Sequence, residues 1–197
     1  MKDAIETLLT RRSIKKYNGK PIPENVLNKI LEVGTYAPTA KNMQKPIIIV
    51  IQDKKVRAQI AEENAKIMGM EDFDPFYGAP VVLLVAAENC PTAVYDGSCV
   101  IDNMLNAAWA LGVGSCWIHR AKEELESDFG KNLLKSLGIT GDYVGIGHVA
   151  LGYFDGEPPV AKPRKISIFT EFKKLRGRLF KRKAARVFQL TCFKGLC

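Results

Sequence analysis

The sequence predicts a mixed α/β or α+β domain followed by a basic tail. Three observations predict it. Segments with apolar residues at helical spacing alternate with short β-branched runs. Gly or Pro punctuates the junctions between them. No apolar run approaches the roughly 20 residues that span a bilayer. At 197 residues, 47% hydrophobic and 25% charged, the chain fits one soluble globular domain with a sizeable core.

Residues 3–9 read as a helix, with Ala4, Ile5, Leu8 and Leu9 on one face. Pro23 opens a second helix carrying Val26, Leu27, Ile30 and Leu31, which the stretch from Gly34 to Pro38 ends. Residues 47–51 and 81–86 are apolar runs and read as buried strands. Residues 54–70 between them read as a helix closed by Gly69. The long apolar helix expected over 95–111 bears Val100, Ile101, Met104, Leu105 and Trp109 on more than one face, which calls for burial and reads as packing against a second copy. Gly112 ends it, and 114–118 read as a short strand. One amphipathic helix is expected over 121–137, then a strand over 143–154. Glycines 145, 147 and 152 in that strand suggest a close backbone approach.

Composition also excludes. Five widely spaced cysteines form no Cys-x-x-Cys pair, so a zinc or iron–sulfur site has little support. Two histidines, His119 and His148, are thin material for a metal centre or a triad, and His148 reads as a packed strand residue. The N-terminus carries acids and no long apolar core, so no secretory signal is expected and a cytoplasmic location is the default. Nine of the 29 bases but one of the 21 acids lie in 166–197, so the net charge of +8 belongs to that tail.

Four short constellations carry chemistry. Arg11, Arg12, Ser13, Lys15 and Lys16 gather cations and a hydroxyl where a helix gives way to a loop. They read as an anion site for a phosphorylated cofactor or as a solvated helix end. Pro38, Thr39, Ala40, Asn42 and Gln44 form a small-residue turn whose amides can read the edge of a flat heterocycle or bond their own backbone. Gly112-Val113-Gly114-Ser115 follows a helix rather than a strand, so it is not a dinucleotide fingerprint. A glycine-spaced strand then runs out to Lys162-Pro163-Arg164-Lys165, which reads as further phosphate ligands or as an exposed linker.

In order and spacing, the four together resemble the nitroreductase family over residues 1–165. Arg-Arg-Ser-Ile-x-x-Tyr is similar to its opening motif, Ala-Pro-Thr-Ala-Lys-Asn-Met-Gln to its Ala-Pro-Ser-x-x-Asn-x-Gln loop, Ala-Leu-Gly-Val-Gly-Ser-Cys-Trp-Ile to its helix-to-strand turn, and Gly-Tyr with Lys-Pro-Arg-Lys to its closing contacts. The resemblance implies an α+β homodimer with a central, mainly antiparallel sheet flanked by helices and FMN at the interface. It also implies ping-pong chemistry with NADH or NADPH as donor and a nitroaromatic, quinone or similar electrophile as acceptor. Carried over, Arg11, Ser13, Lys162 and Arg164 hold the phosphate and ribityl chain, with Arg12 beside them. Lys15 lies near the N1 and O2 edge of the flavin, where a cation favours negative charge on the ring. Asn42 bonds the ring edge with Gln44 adjacent, Pro38, Thr39 and Ala40 pack on the ring from the partner chain, and Gly114 and Ser115 offer backbone contacts. Three positions depart from the pattern: Gln44-Lys45-Pro46 stands for Gln-Pro-Trp, His119 for a common glycine and Phe154 for a common proline.

The tail is the misfit. Phe169, Phe172, Leu175, Leu179, Phe180 and Val187 fall roughly on one helical face among the cations. It reads as a segment foreign to the domain, as a basic helix docking on the dimer, or as a binder of acidic lipid, nucleic acid or a partner. Two alternatives to the enzyme therefore stand: an FMN-binding protein without turnover, and a tail-mediated interaction protein.

Overall fold

The computed structural model describes residues 3–164, 170–175 and 178–183. It divides into two compact units, Met1–Pro159 and Val160–Cys197.

The first unit is built on a four-stranded sheet of β1 (Pro46–Ile51), β2 (Val81–Glu88), β3 (Gly114–Ile118) and β4 (Tyr143–Gly152), in the order β1-β2-β4-β3 with every pair antiparallel. Six helices accompany it: α1 (Ala4–Thr10), α2 (Glu24–Thr35), α3 (Lys54–Met68), α4 (Ala93–Ala110), α5 (Ala121–Glu126) and α6 (Asp128–Ser136). The α+β class and the antiparallel sheet match the expectation.

Strand β2 explains the layering. Seven consecutive residues, Val81 to Ala87, are buried, and they alternate between two cores. Val81, Leu83, Val85 and Ala87 face one with Leu27, Ile30, Ile101 and Met104 of α2 and α4. Val82, Leu84 and Ala86 face the other with Ile60, Leu125 and Leu134 of α3, α5 and α6. A strand covered on both sides needs no polar face, so its sequence reads as an unbroken apolar run.

Helix α4 packs on α1, α2, β1, β2, β3 and β4 of its own chain, while its Val94 and Tyr95 stand exposed. One reading is corrected. The helix expected over 121–137 is two, broken at Ser127. Its extended backbone ends α5, and its hydroxyl accepts from the Gly130 amide at 3.2 Å to start α6.

The glycines of β4 do mark close approaches. A Cβ on Gly145 would lie 2.0 Å from the Ala121 carbonyl oxygen, so α5 can rest against the strand only because position 145 is glycine. At Gly152 a Cβ would meet the Tyr17 ring at 2.8 Å, so the opening segment lies directly on β4.

In the second unit, β5 (Thr170–Leu175) and β6 (Arg178–Lys183) pair antiparallel, with Thr170 opposite Lys183 and Leu175 opposite Arg178. The helical reading of the tail is thus replaced over these residues by a ladder. Phe169, Val187, Cys192 and Cys197 lie outside the described residues.

Candidate cofactor site

Beyond α1 the chain runs extended along β3. Ser13 forms a parallel bridge with Ser115, and the Ile14 amide donates to the Ser115 carbonyl at 2.9 Å. Extended backbone alternates its side chains, so Ile14 is buried while Ser13 and Lys15 stand exposed. Arg11, Ser13 and Lys15 converge near the Cys116 thiol. Burial pushes that thiol above its usual range, while a hydrogen bond to Ser13 and the charges of Lys15 and Arg11 pull against the rise. The Lys15 ammonium lies over the Tyr77 ring, 5.5 Å from its centroid. The Tyr17 hydroxyl donates to the Ile14 carbonyl at 2.9 Å and lies 3.2 Å from that of Ala150, and burial holds it far above the ordinary phenol range.

The neighbours of this trio serve the chain itself. Arg12 turns back, its Nη1 donating to the carbonyls of Leu9 at 3.0 Å and Arg11 at 2.7 Å, so it satisfies the open end of α1 instead of joining the cluster. Ser115 is fully buried, with its hydroxyl 3.4 Å from the Leu105 carbonyl. Gly114 leaves no room for a side chain beside Phe154 and Ile14. These two hold the Ser13 segment in place. Phe154, the departure from the proline pattern, stacks on Trp109 with centroids 6.1 Å apart.

The second loop is under backbone tension. Lys41, Asn42 and Gln44 have φ of 53°, 54° and 51°, a region uncommon for residues with a side chain. Asp96, on the first turn of α4 and buried, accepts from the Ala40 amide at 3.0 Å and from the Thr92 hydroxyl at 3.2 Å. The Thr39 hydroxyl accepts from the Gln44 amide at 3.1 Å, and the Asn42 side chain accepts from Gln44 Nε2 at 3.1 Å. Beneath lies a cavity of about 360 Å³, lined by Thr39, Gln44, Leu31, Ile48 and Val100 among others. Asp96→Ala is expected to destabilise the protein by about 1–3 kcal/mol, because it strips a buried acceptor from the Ala40 amide. Urea unfolding measures this, and a loss below about 0.5 kcal/mol would show that the loop holds its shape without the carboxylate.

The two groups do not meet in one chain. Ser13 sits on β3, at one edge of the sheet, while the 38–44 loop feeds β1 at the other. The ends differ too. Ser115 pairs with Leu151 and so with the Val81 end of β2, whereas Pro46 pairs with Ala87 at its far end. With strands about 4.8 Å apart and residues about 3.3 Å along, these diagonal corners are on the order of 20–25 Å apart. Lys162 and Arg164 are exposed residues of the second unit.

Three features had no signal in the motifs. One is Asp96, a lone acid on an apolar helix. Another is the left-handed Tyr77 at φ 55°. The third is a buried network in which Glu124 Oε1 lies 3.3 Å from His148 Nε2, Asn64 Nδ2 donates to the His119 carbonyl at 3.1 Å, and Arg120 Nε donates to Asn64 Oδ1 at 3.0 Å. His148 is thus the packed strand residue expected. Among the described residues no three His, Cys, Asp or Glu side chains gather as a metal site, and no helix is long and apolar enough to cross a membrane.

The sequence pattern of the nitroreductase family matches residues 8–153, which contain the β3 cluster, the strained loop and the whole sheet. The chain belongs to the nitroreductase family. Its relatives agree. A protein of Archaeoglobus fulgidus, by name an NADH dehydrogenase/NAD(P)H nitroreductase, is 30% identical over 157 residues, covering 78% of this chain and 86% of that one. A Methanothermobacter thermautotrophicus protein of the same name is 30% identical over 120 residues, 58% of this chain and 60% of its own length. The crystal structure of a Bacteroides fragilis nitroreductase with bound FMN superposes with a TM-score of 0.79 at 28% identity, covering 88% of this chain and all of the other.

Proposed function

We propose that the protein is an FMN-dependent NAD(P)H oxidoreductase that works as a homodimer with two shared sites. The convergence of Arg11, Ser13 and Lys15 on one corner of a nitroreductase fold carries this reading. Their chemistry fits a phosphorylated flavin. A guanidinium and a hydroxyl suit a phosphate monoester and its neighbouring oxygens, and neither Arg11 nor Lys15 forms an ion pair among the described residues. When bound, FMN supplies a two-electron carrier between NAD(P)H and an electrophilic acceptor such as a nitroaromatic or quinone, in ping-pong order. Arg11 and Ser13 bind the phosphate and ribityl end, and Lys15 keeps a positive charge at the ring edge.

The diagonal separation of the two corners supports the dimer. The 38–44 loop of one copy, with Pro38, Thr39, Ala40, Asn42 and Gln44, completes the Arg11 corner of the other. An apolar stripe on α1 supports it too, because Ile5, Leu8 and Leu9 are each more than half exposed. Purified protein is expected to be yellow, to bleach on addition of NADH or NADPH, and to sediment at twice the 21.9 kDa chain mass at micromolar concentration. No flavin after incubation with excess FMN would overturn the cofactor. A yellow protein that neither donor bleaches would favour an FMN-binding protein without turnover, and a monomer holding flavin tightly would overturn the shared site.

A further inference from the structure

Tyr77 lies in the turn between α3 and β2, outside every motif that pointed to the cofactor. Its backbone is strained, at φ 55°, where a bulky side chain is rarely found. The strain is held by several bonds at once. The Asp74 carboxylate accepts from the Phe76 amide at 3.0 Å, the Gly78 amide at 2.7 Å and Arg57 Nη2 at 2.6 Å. The Asp74 carbonyl accepts from the Tyr77 amide at 3.0 Å. Phe73 meets the Tyr77 ring edge-on at 5.6 Å. A turn locked this firmly into a disfavoured conformation at a candidate site points to a use for what it aims. Tyr77 aims its ring at the Lys15 ammonium, 5.5 Å from the centroid.

Lysine is a point charge on a flexible four-carbon stem, and an exposed one samples many positions. An aromatic face within about 6 Å attracts the ammonium and narrows that range. We infer that Tyr77 is a positioning residue that fixes the Lys15 ammonium at the flavin ring edge, an assignment that rests on the FMN reading above. The ring face does this, not the hydroxyl, so phenylalanine preserves the function and an aliphatic residue does not.

The pair is read first in the full chain without flavin, by the ring-current displacement of the Lys15 Cε protons in NMR spectra. The displacement is expected in the wild type and in Tyr77→Phe, and is expected to vanish in Tyr77→Leu and Tyr77→Gly. Glycine adopts φ 55° without strain, so Tyr77→Gly removes the ring while easing the backbone and guards against loss of fold. With FMN bound, Tyr77→Leu and Tyr77→Gly are expected to slow flavin reduction by NADH about two- to fivefold, the size of an exposed cation–π contact. They are also expected to lower the flavin's reduction potential, while Tyr77→Phe keeps both. In a Lys15→Ala background, Tyr77→Leu is expected to change neither. An equal loss in that background, a Tyr77→Phe as impaired as Tyr77→Leu, or no displacement in the wild type would overturn the assignment. An intact displacement in a protein that takes up no FMN would instead overturn the cofactor reading, and with it the role given to the pair.

Discussion

Arg11→Ala is expected to weaken FMN binding about ten- to a hundredfold, the worth of a charge-assisted contact of roughly 1.5–3 kcal/mol. Arg11 is a half-buried residue, and its charge is close enough to bear on the Cys116 thiol. Partial burial strengthens a contact to phosphate relative to one in open water. The Arg12→Ala variant is the internal control. Its side chain is committed to the carbonyls of Leu9 and Arg11, so it should fray α1 and leave FMN affinity within about twofold. Titration followed by flavin fluorescence measures both, and excess FMN should restore turnover to Arg11→Ala. Equal losses at the two positions would mean that net charge, not the placement of Arg11, attracts the cofactor.

The largest effect on stability is expected at Glu124. Its carboxylate and the His148 imidazole are completely buried, and the second oxygen lies 3.5 Å from Asn64 Nδ2. Truncation to alanine leaves the buried imidazole without a hydrogen-bond partner, since His148 Nδ1 already has none among the described residues. Leaving a buried polar group unsatisfied costs about 1–3 kcal/mol, and the space vacated by the carboxylate adds to that. Glu124→Gln keeps an acceptor at the same place and should lose less than half of that. Urea unfolding at constant slope separates the two, and an alanine variant within about 1 kcal/mol of the wild type would mean that the core closes over the gap.

How much of this was legible in the sequence depends on how local each cause is. Gly69, placed as the stop of α3, takes the left-handed cap at φ 72°, because a glycine after a periodic segment needs no tertiary partner to act. The β3 strand is found within its expected bounds for a similar reason. The break at Ser127 was readable in principle, as serine before Asp128 is a helix-start signal, but the amphipathic period runs through it and masks it. Arg12 reads like Arg11 in the sequence because composition does not tell which of two adjacent cations bonds the end of α1. Asp96, Tyr77 and the Glu124–His148 contact were beyond reach. Each depends on a partner distant in the chain: Ala40 for Asp96, Lys15 for Tyr77, and a residue 24 positions away for Glu124. At Tyr77, local preference even argues against the conformation found.

The diagonal layout of the sheet bears on how damage would be inherited by mixed assemblies. In the proposed twofold pair, each chain would lend its β3 corner to one pocket and its 38–44 loop to the other. A chain carrying Arg11→Ala, paired with one whose loop is disabled, would own one pocket with both lesions and one with neither. At limiting FMN, two parents with no well-filled pocket would then yield a hybrid with one intact pocket, whereas two lesions in the same corner would never complement each other.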